Sequence, residues 1–311
     1  MWTAITLWIV HAVGFAIYAL AAARAIAVGA APWHWIVGAA LIYAAIIAVF
    51  TLAEFTLSWF WRARRPPAQR IGAARTLAMI AAEFRTLIGS PWRMMTWRWR
   101  MPPPMLAKGA MPVVLVHGVF CNAGVFAWTI RRFADEALGP VYALSYGPPL
   151  APIERFSAQL AALVDAACRD TGAAQAVVVG HSMGGLVARD YLRTHGGAKV
   201  ARVVTIGTPH NGSRFARLAA GRCLAQMRPG SEWLAALPPA PASPPIVSLW
   251  SPHDSMVAPQ TSAVLEGATN VAFLGIGHNA LLRDESVHAR VVAEIWTARR
   301  GVDSRLRGND G

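Results

Sequence analysis

The pentapeptide at residues 180–184 restricts the possible fold of this chain more than any other feature. It reads Gly-His-Ser-Met-Gly and stands between an apolar run, AVVV, and a helical pattern, GLVARDYL. A strand that passes into a helix through so tight a turn needs small residues beside the serine, and it leaves the hydroxyl exposed above the sheet. We therefore predict that Ser182 is a nucleophile. The alternative is a glycine-rich turn that carries no chemistry.

Residues 112–298 show short apolar runs that alternate with amphipathic segments. Such runs are typical of strands buried on both faces, and their alternation with helices predicts an α/β fold whose mostly parallel sheet is covered by helices on both faces. Six runs fit strands: VVLVHG (113–118), VYALSY (141–146), AVVVG (176–180), RVVTIGTP (202–209), IVSLW (246–250) and VAFLGIG (271–277). We predict that residues 112–298 form one catalytic domain.

A serine hydroxyl needs a base that takes its proton, and the base needs an acid that orients it. In this kind of strand–turn–helix arrangement the acid follows the serine in the chain and the histidine comes last. Asp254 follows the run IVSLW, and His278 follows VAFLGIG. Both are expected at the carboxyl edge of the sheet, where open α/β sheets bind ligands. We predict that Asp254 is the acid and His278 the base.

Other residues remain as alternatives for these two roles. His253 precedes the last predicted strand, and His288 lies within a helical pattern. Asp284 follows the candidate base too closely to orient it. His181 and His210 flank turns that contain glycine or proline, and we interpret them as supporting residues.

Hydrogen-bond donors are needed where negative charge develops on an attacked carbonyl oxygen. The backbone N–H of Met183, directly after the serine, is one predicted donor. The loop after the first strand should supply the other, with Val119 as the predicted donor and Phe120 as the alternative. Glycine in this loop would let substrate approach the backbone closely. The residues predicted to lie near the substrate are His117, Gly118, Phe120 and His181.

The chain resembles the bacterial triacylglycerol lipases and esterases of the α/β-hydrolase superfamily in four segments: VLVHG, GHSMGG, IGTPHNGS and the late pair HD…GIGHNALL. The resemblance spans about residues 112–297. It implies an α/β-hydrolase fold, a Ser-His-Asp triad, lipid or acyl-ester substrates and no cofactor. It also implies that Thr208-Pro209-His210 lies near the site without taking part in the chemistry. Residues 210–245 fall where this architecture commonly carries a cap or lid.

Metal and disulfide chemistry find little support in the sequence. The acidic, Asp-rich calcium site of some secreted relatives is not visible, so we predict no metal. The three cysteines have no CxxC spacing, which favours reduced thiols over a zinc site or a disulfide framework.

Residues 1–61 contain two long apolar segments. Residues 4–23 carry no formal charge, and residues 33–60 carry only Glu54. Each segment is long enough to cross a bilayer as a helix, and tryptophans stand near the ends of the second. No basic region precedes the first segment, which favours a two-helix transmembrane hairpin over a cleaved signal peptide. We expect Glu54, near the end of its span, to reach the lipid headgroups.

The formal net charge of +13 is concentrated near this hairpin. Residues 1–111 hold eleven basic and two acidic residues, which accounts for +9. We predict a bilayer with anionic lipids as the partner of these cations. The positive-inside rule then predicts a multi-pass protein of the inner membrane with its catalytic domain on the cytoplasmic side. A high pI also fits nucleic-acid binding, but no such motif is present and no nucleic-acid partner is predicted.

Residues 62–111 are predicted to form a basic, Trp-rich juxtamembrane linker. Residues 70–90 show the apolar spacing of an amphipathic helix. The stretch PWRMMTWRWRMPPPM interleaves tryptophan with arginine, which fits an interfacial element. A helix packed on the catalytic domain with a charged outer face is the alternative. The prolines at 102–104 mark a domain boundary, and residues 299–311 are predicted to be a disordered tail.

These features predict a membrane-anchored serine esterase or lipase that hydrolyses acyl esters through an acyl-enzyme. A thioesterase, phospholipase or acyltransferase would use the same chemistry. A membrane-anchored binding protein could keep this fold without catalysis, but the presence of Ser182, Asp254 and His278 argues against it. A transport component is suggested by the apolar segments alone, and two spans leave little room for a pathway.

Overall fold

A sheet of six parallel strands forms the centre of the molecule. The computed structural model describes residues 2–100 and 109–308. The strands are β1 (Val113–Val116), β2 (Val141–Leu144), β3 (Ala176–His181), β4 (Val200–Ile206), β5 (Ile246–Trp250) and β6 (Thr269–Ala272). Their order across the sheet is β2-β1-β3-β4-β5-β6, and every neighbouring pair is parallel. This is the sheet of an α/β-hydrolase fold.

Ten α-helices accompany the sheet in the described part of the chain. They are α1 (Trp2–Ala27), α2 (Pro32–Phe60), α3 (Ala73–Ile88), α4 (Ser90–Arg100), α5 (Ala127–Asp135), α6 (Ile153–Thr171), α7 (Met183–His195), α8 (Arg222–Gln226), α9 (Glu232–Ala235) and α10 (Glu285–Gly308). Short 3₁₀ turns join several of them. Residues 210–245, the predicted cap region, contain α8 and α9.

Apolar side chains cover the sheet on both faces because successive strand residues point in opposite directions. Val114, Val116 and Val178 pack on one face with α6 and α7. Val113 and Leu115 pack on the other with α5 and α10. The prediction of an α/β layer structure from the continuous apolar runs is therefore confirmed.

Two boundaries differ from the sequence prediction. β6 ends at Ala272, so residues 273–277 of the predicted last strand form a loop. The last sheet contact of this segment is the bond that the Phe273 N–H donates to the Trp250 carbonyl (2.8 Å), after which the chain turns toward the site. Helix α10 continues to Gly308, although residues 299–311 were expected to be a disordered tail. The prolines at 102–104, expected to mark a boundary, lie outside the described residues.

Helices α1 and α2 are long, apolar and largely exposed. Both are long and apolar enough to cross a membrane by length and composition, and α1 contains no buried residue. The Tyr18 hydroxyl donates to the Trp35 carbonyl oxygen (2.7 Å), which joins the two helices near their connection. At the opposite end, Thr3 of α1 donates to the Cys121 carbonyl (3.0 Å), beside the sheet. The two helices therefore form an antiparallel pair whose free ends meet the domain built around the sheet.

Helices α3 and α4 pack on the domain built around the six-stranded sheet rather than standing apart from it. Met79 and Thr86 of α3 are buried, as are Met94 and Thr96 of α4. The Asn122 side-chain amide donates to the Met94 carbonyl (2.9 Å), tying α4 to the loop after β1. These contacts agree with the packed-helix interpretation of residues 70–100.

Candidate active site

Ser182 occupies a strained turn between β3 and α7. Its φ of 55° lies in the left-handed region, which a residue with a side chain rarely adopts. The bond from the Ser182 N–H to the Ile206 carbonyl (2.8 Å) and the bond from Thr208 Oγ1 to the Ser182 carbonyl (2.9 Å) hold the turn. Strain of this kind costs about 1–3 kcal/mol and persists only where the surroundings impose it. The turn presents the half-buried serine at the carboxyl edge of the sheet.

Glycines make this turn possible because other chain segments pass very close to it. A Cβ on Gly180 would lie 2.6 Å from the Gly185 nitrogen, and a Cβ on Gly118 would lie 2.9 Å from the Ser182 Cβ. Gly184 is packed against the Val116 carbonyl. The small residues that the sequence places around the serine are thus required by backbone contacts.

His278 and Asp254 form a buried hydrogen-bonded pair. His278 Nδ1 and Asp254 Oδ2 are 2.9 Å apart, and both side chains are almost fully buried. Asp254 Oδ1 accepts bonds from the N–H groups of Met256 (2.8 Å) and Val257 (2.7 Å), so the carboxylate has a fixed orientation. His278 Nδ1 is therefore expected to carry a proton, which leaves Nε2 free to accept one.

The electrostatic environment favours the charged form of His278. Burial lowers the pKa of this imidazole, but the charge and hydrogen bond of Asp254, together with the charge of Glu83, outweigh it. The pKa of His278 is therefore raised above that of an ordinary histidine. A base with a raised pKa takes up a proton more readily.

Ser182 and His278 line one cavity of about 400 Å³, although no hydrogen bond between described residues joins the serine hydroxyl to the imidazole. Such contacts often tighten only when substrate binds. The wall is mostly apolar and comes mainly from α2, α3, α4, the loops after β1 and β5, and the segment 213–227. Its apolar members include Phe50, Leu57, Val125, Leu224, Met227 and Met256. An apolar cavity with few polar groups is typical of a small-molecule site.

The two predicted backbone donors lie beside this cavity. Met183 begins α7, and the first N–H of a helix has no partner within the helix. Val119 lines the cavity, as does Phe120, whose φ of 56° turns the loop sharply. The backbone bonds between described residues, outside helices and strands, include none donated by Val119 or Met183. Both N–H groups are thus free for a ligand.

The two histidines predicted to lie near the substrate differ in position. His181 lines the cavity, its Nε2 lies 3.2 Å from the His278 carbonyl, and burial holds its pKa well below the usual range. His117 is not among the residues that line the cavity. Its ring stacks on Tyr146 at 3.9 Å, and burial lowers its pKa to about 4. His117 therefore supports the loop after β1, and its place near the substrate stays a prediction.

Helix α2 contributes a polar stripe to the site that the sequence interpretation missed. Its buried residues are Thr51, Glu54 and Ser58, spaced by three and four on one face. Ser58 Oγ donates to the carbonyl of Asp254 (2.7 Å). Glu54 lines the cavity with both carboxyl oxygens buried and without a hydrogen-bond partner of good geometry, although Ser255 lies beside it. Glu54 was expected to reach lipid headgroups; it faces the protein because this stripe is the helix's inner face.

Helix α3 supports the segment after His278 in a similar way through Glu83, which is fully buried. Its Oε1 accepts bonds from the backbone and side-chain N–H groups of Asn279, and its Oε2 accepts from the N–H of Ala280, all at 2.8 Å. Glu83 thus holds the two residues that follow His278. The signal in the sequence was a lone acidic residue within an otherwise apolar and basic helix.

Replacing Glu83 by alanine is expected to destabilise the protein by about 3 kcal/mol, because the half-buried donor of Asn279 and the buried donor of Ala280 would lose their acceptor. The free energy of unfolding, from denaturant titration of the detergent-solubilised protein, measures this loss. Glu285→Ala is the matched control, since that exposed residue makes only a surface ion pair with Arg132 and should cost less than about 1 kcal/mol. Equal losses in the two variants would contradict the role given to Glu83.

Comparison with known sequences places most of the chain in a family. Residues 113–303 match the alpha/beta hydrolase family. Over 113 residues the chain is 36% identical to triacylglycerol lipases of Pseudarthrobacter phenanthrenivorans and Burkholderia plantarii. The alignment covers 34% of this chain, 35% of the first relative and 31% of the second. The chain thus matches about a third of the length of these curated relatives.

Solved structures share the fold. Lipase B of Aspergillus fumigatus superposes with a TM-score of 0.55 at 16% identity, over 79% of this chain and 80% of that one. The mature form of a Bacillus licheniformis lipase gives a TM-score of 0.53 at 17% identity, over 62% of this chain and 96% of that one. The family match extends over the whole sheet, and the strained serine turn and the His278–Asp254 pair agree with it. The chain therefore belongs to the alpha/beta hydrolase family.

Proposed function

We propose that this protein is a membrane-anchored serine esterase or lipase that hydrolyses acyl esters. The observation that carries the proposal is that Ser182, on its strained turn, and His278 line one apolar cavity, while Asp254 is bonded to the imidazole of His278. The relatives described as triacylglycerol lipases lend support to ester substrates.

The proposed reaction proceeds through a covalent acyl-enzyme. His278 Nε2 takes the proton of Ser182 Oγ as this oxygen attacks the ester carbonyl carbon. The carbonyl oxygen becomes an oxyanion, which the N–H groups of Val119 and Met183 bind. Collapse of this intermediate breaks the bond to the alcohol, which leaves with the proton from His278. Water, deprotonated by the same histidine, then attacks the acyl carbon and releases the acid.

Asp254 supports both steps without touching the substrate. Its carboxylate accepts the Nδ1 proton of His278 and stabilises the imidazolium that forms when the serine is deprotonated. The bonds from Met256 and Val257 keep the carboxylate in place, and Ser58 of α2 holds the backbone of the same residue. No step of this reaction calls for a metal or a cofactor.

The position of α2 favours a substrate that comes from a lipid phase. Phe50 and Ala53 line the cavity and are also exposed on the outer surface of α2. If α2 lies in a bilayer, an acyl chain can pass from the lipid along this surface to Ser182. The basic segment after α2 supports a hairpin inserted with the catalytic domain on the cytoplasmic side of the inner membrane.

Hydrolysis of p-nitrophenyl esters from C2 to C16 by the detergent-solubilised protein tests the proposal. We expect kcat/KM to rise with chain length until the cavity is filled, by up to about fourfold per methylene, because each buried CH₂ contributes about 0.8 kcal/mol. A flat dependence on chain length would contradict the assignment of the cavity as the acyl pocket. If the protein cleaves only thioesters or only phospholipids, the proposed substrate class is wrong, although the mechanism through Ser182 is retained.

A substitution on α2 makes the same test specific to this cavity. Ala53→Phe adds a ring to the cavity wall, so the preferred ester should become shorter than in the unaltered protein. Ala45→Phe is the control, since this alanine is exposed on the same helix and does not line the cavity. An identical chain-length profile for the two variants would exclude α2 as a wall of the acyl pocket.

A further inference from the structure

A second cavity, of about 680 Å³, lies where α2 leaves its apolar segment. Its walls combine two kinds of chemistry. Apolar side chains of α2 and α3 form one part, including Trp59, Phe60 and Ile80. Four arginines line the other part: Arg62, Arg64, Arg65 and Arg70. No acidic residue is among the residues given as lining this cavity.

The four arginines lack counter-charges within the described chain. None of them takes part in an ion pair between described residues. Arg62 stacks on the Trp59 ring at 3.4 Å, and Arg65 Nε donates to the Pro252 carbonyl (2.6 Å). Burial, with the charge of Arg62, lowers the pKa of Arg65. The cavity is therefore a concentration of positive charge that an anion would relieve.

His253 adds a buried polar group to the same wall. Its Nδ1 accepts a bond from the Gly275 N–H (3.2 Å), so its proton is on Nε2 when the ring is neutral. Burial, with the charges of Arg65 and Arg75, lowers its pKa to about 4 and keeps the ring neutral. Nε2 is buried and has no hydrogen-bond partner. A buried donor without an acceptor is uncommon, and His253 is among the residues that line the cavity.

We propose that this cavity binds the headgroup of an anionic phospholipid, with the lipid chains lying against the apolar residues of α2 and α3. Arginine is well suited to phosphate because its planar guanidinium donates two parallel bonds. The cavity adjoins the polar end of a helix long enough to cross a bilayer, where an anionic lipid would place its phosphate. The proposal rests on the proposed membrane insertion of α1 and α2, but it does not require ester hydrolysis.

The site would also be joined to the catalytic acid. Ser58 lines this cavity and donates to the Asp254 carbonyl, and Gln260 Nε2 donates to Ser58 Oγ (2.7 Å). Arg65 holds the carbonyl of Pro252, two residues before the acid. A lipid bound between the arginines and His253 would therefore rest on the segment that carries Asp254.

Native mass spectrometry of the full-length chain with Ser182→Ala tests the site, because this variant should not consume a bound lipid. Detergent-solubilised protein is incubated with phosphatidylglycerol, phosphatidylcholine or oleate, and the retained molecules are counted. We expect preferential retention of phosphatidylglycerol. Adding Arg64→Gln and Arg70→Gln should weaken it by roughly 25-fold, since a basic residue near an anionic surface contributes about fivefold in affinity.

The matched control removes two arginines of the same basic segment that do not line the cavity, through Arg85→Gln and Arg98→Gln. Retention lost equally in both double variants would overturn the site, as would equal retention of phosphatidylglycerol and phosphatidylcholine. Preference for oleate would replace the phospholipid with a fatty-acid anion and overturn the assignment. Membrane fractionation of the same proteins reports on insertion separately, and ester hydrolysis by the chain with an intact Ser182 reports on the proposed function.

Discussion

Ser182→Ala is expected to lower ester hydrolysis by on the order of 10⁶-fold, because removal of the nucleophile from a catalytic unit of this kind abolishes the covalent path. The fold should persist. Alanine keeps the Cβ that packs near Gly118, and the backbone bonds to Ile206 and Thr208 do not involve the hydroxyl. The variant should therefore unfold at the same temperature as the unaltered protein.

Two measurements separate a lost nucleophile from a damaged protein. A fluorophosphonate probe should label the unaltered chain and leave Ser182→Ala unlabelled, while circular dichroism melting compares their stability. Ser286→Ala is the control, since this exposed serine lies at the start of α10. Residual hydrolysis within tenfold of the unaltered protein would remove Ser182 from the mechanism.

The sequence predicted the serine turn well because its determinants are local. Neighbouring backbone leaves no room for a side chain at Gly180 or Gly184, so the two glycines in the sequence already indicate the tight turn. The positions of Asp254 and His278 followed from a topological rule, since the residues after parallel strands gather at one edge of the sheet. The pairing of these two side chains, 2.9 Å apart, agrees with that rule.

The roles of α2 and α3 were harder to predict because they depend on contacts across about 200 residues. Ser58 bonds to Asp254, and Glu83 bonds to Asn279 and Ala280. A helix with an apolar outside and a polar inside reverses the usual pattern of a globular protein, where the apolar face turns inward. Thr51, Glu54 and Ser58 do have the spacing of one helix face in the sequence. That face can be interpreted as the inner one only if the apolar outer face of α2 lies in an apolar environment.

Length and composition alone could not locate the cavity walls. Residues 210–245 were expected to form a cap, and their short helix α8 contributes Leu224 to the cavity. Other parts of the wall come from α2 and α4, and the placement of these helices depends on packing that no periodic pattern encodes. Similarly, His117 follows a strand as a site residue would, yet its ring stacks on Tyr146 and is not among the residues that line the cavity.

Asp254→Asn is expected to lower kcat/KM by about 10⁴-fold while preserving the fold. The reason is the direction of hydrogen bonding. Asp254 Oδ1 accepts two backbone N–H bonds, so the asparagine oxygen should occupy that position and its NH₂ group should face His278. Nδ1 of the imidazole must then accept a bond. Its proton moves to Nε2, where it blocks the uptake of the serine proton.

The pH dependence of kcat/KM gives this prediction a second readout. The base must be neutral, so activity is lost as the pH falls through the pKa of His278. In the unaltered protein that pKa is raised by Asp254 and Glu83 against the effect of burial, which places the acidic limb above the ordinary value for histidine of about 6.5. Removing the Asp254 charge leaves burial with less opposition, so in Asp254→Asn the residual acidic limb should shift to lower pH. The control is Asp284→Asn, directly before α10, which should change neither kcat/KM nor the acidic limb of the pH profile. An acidic limb that does not shift in Asp254→Asn would mean that Asp254 is not the group that sets the pKa of the base.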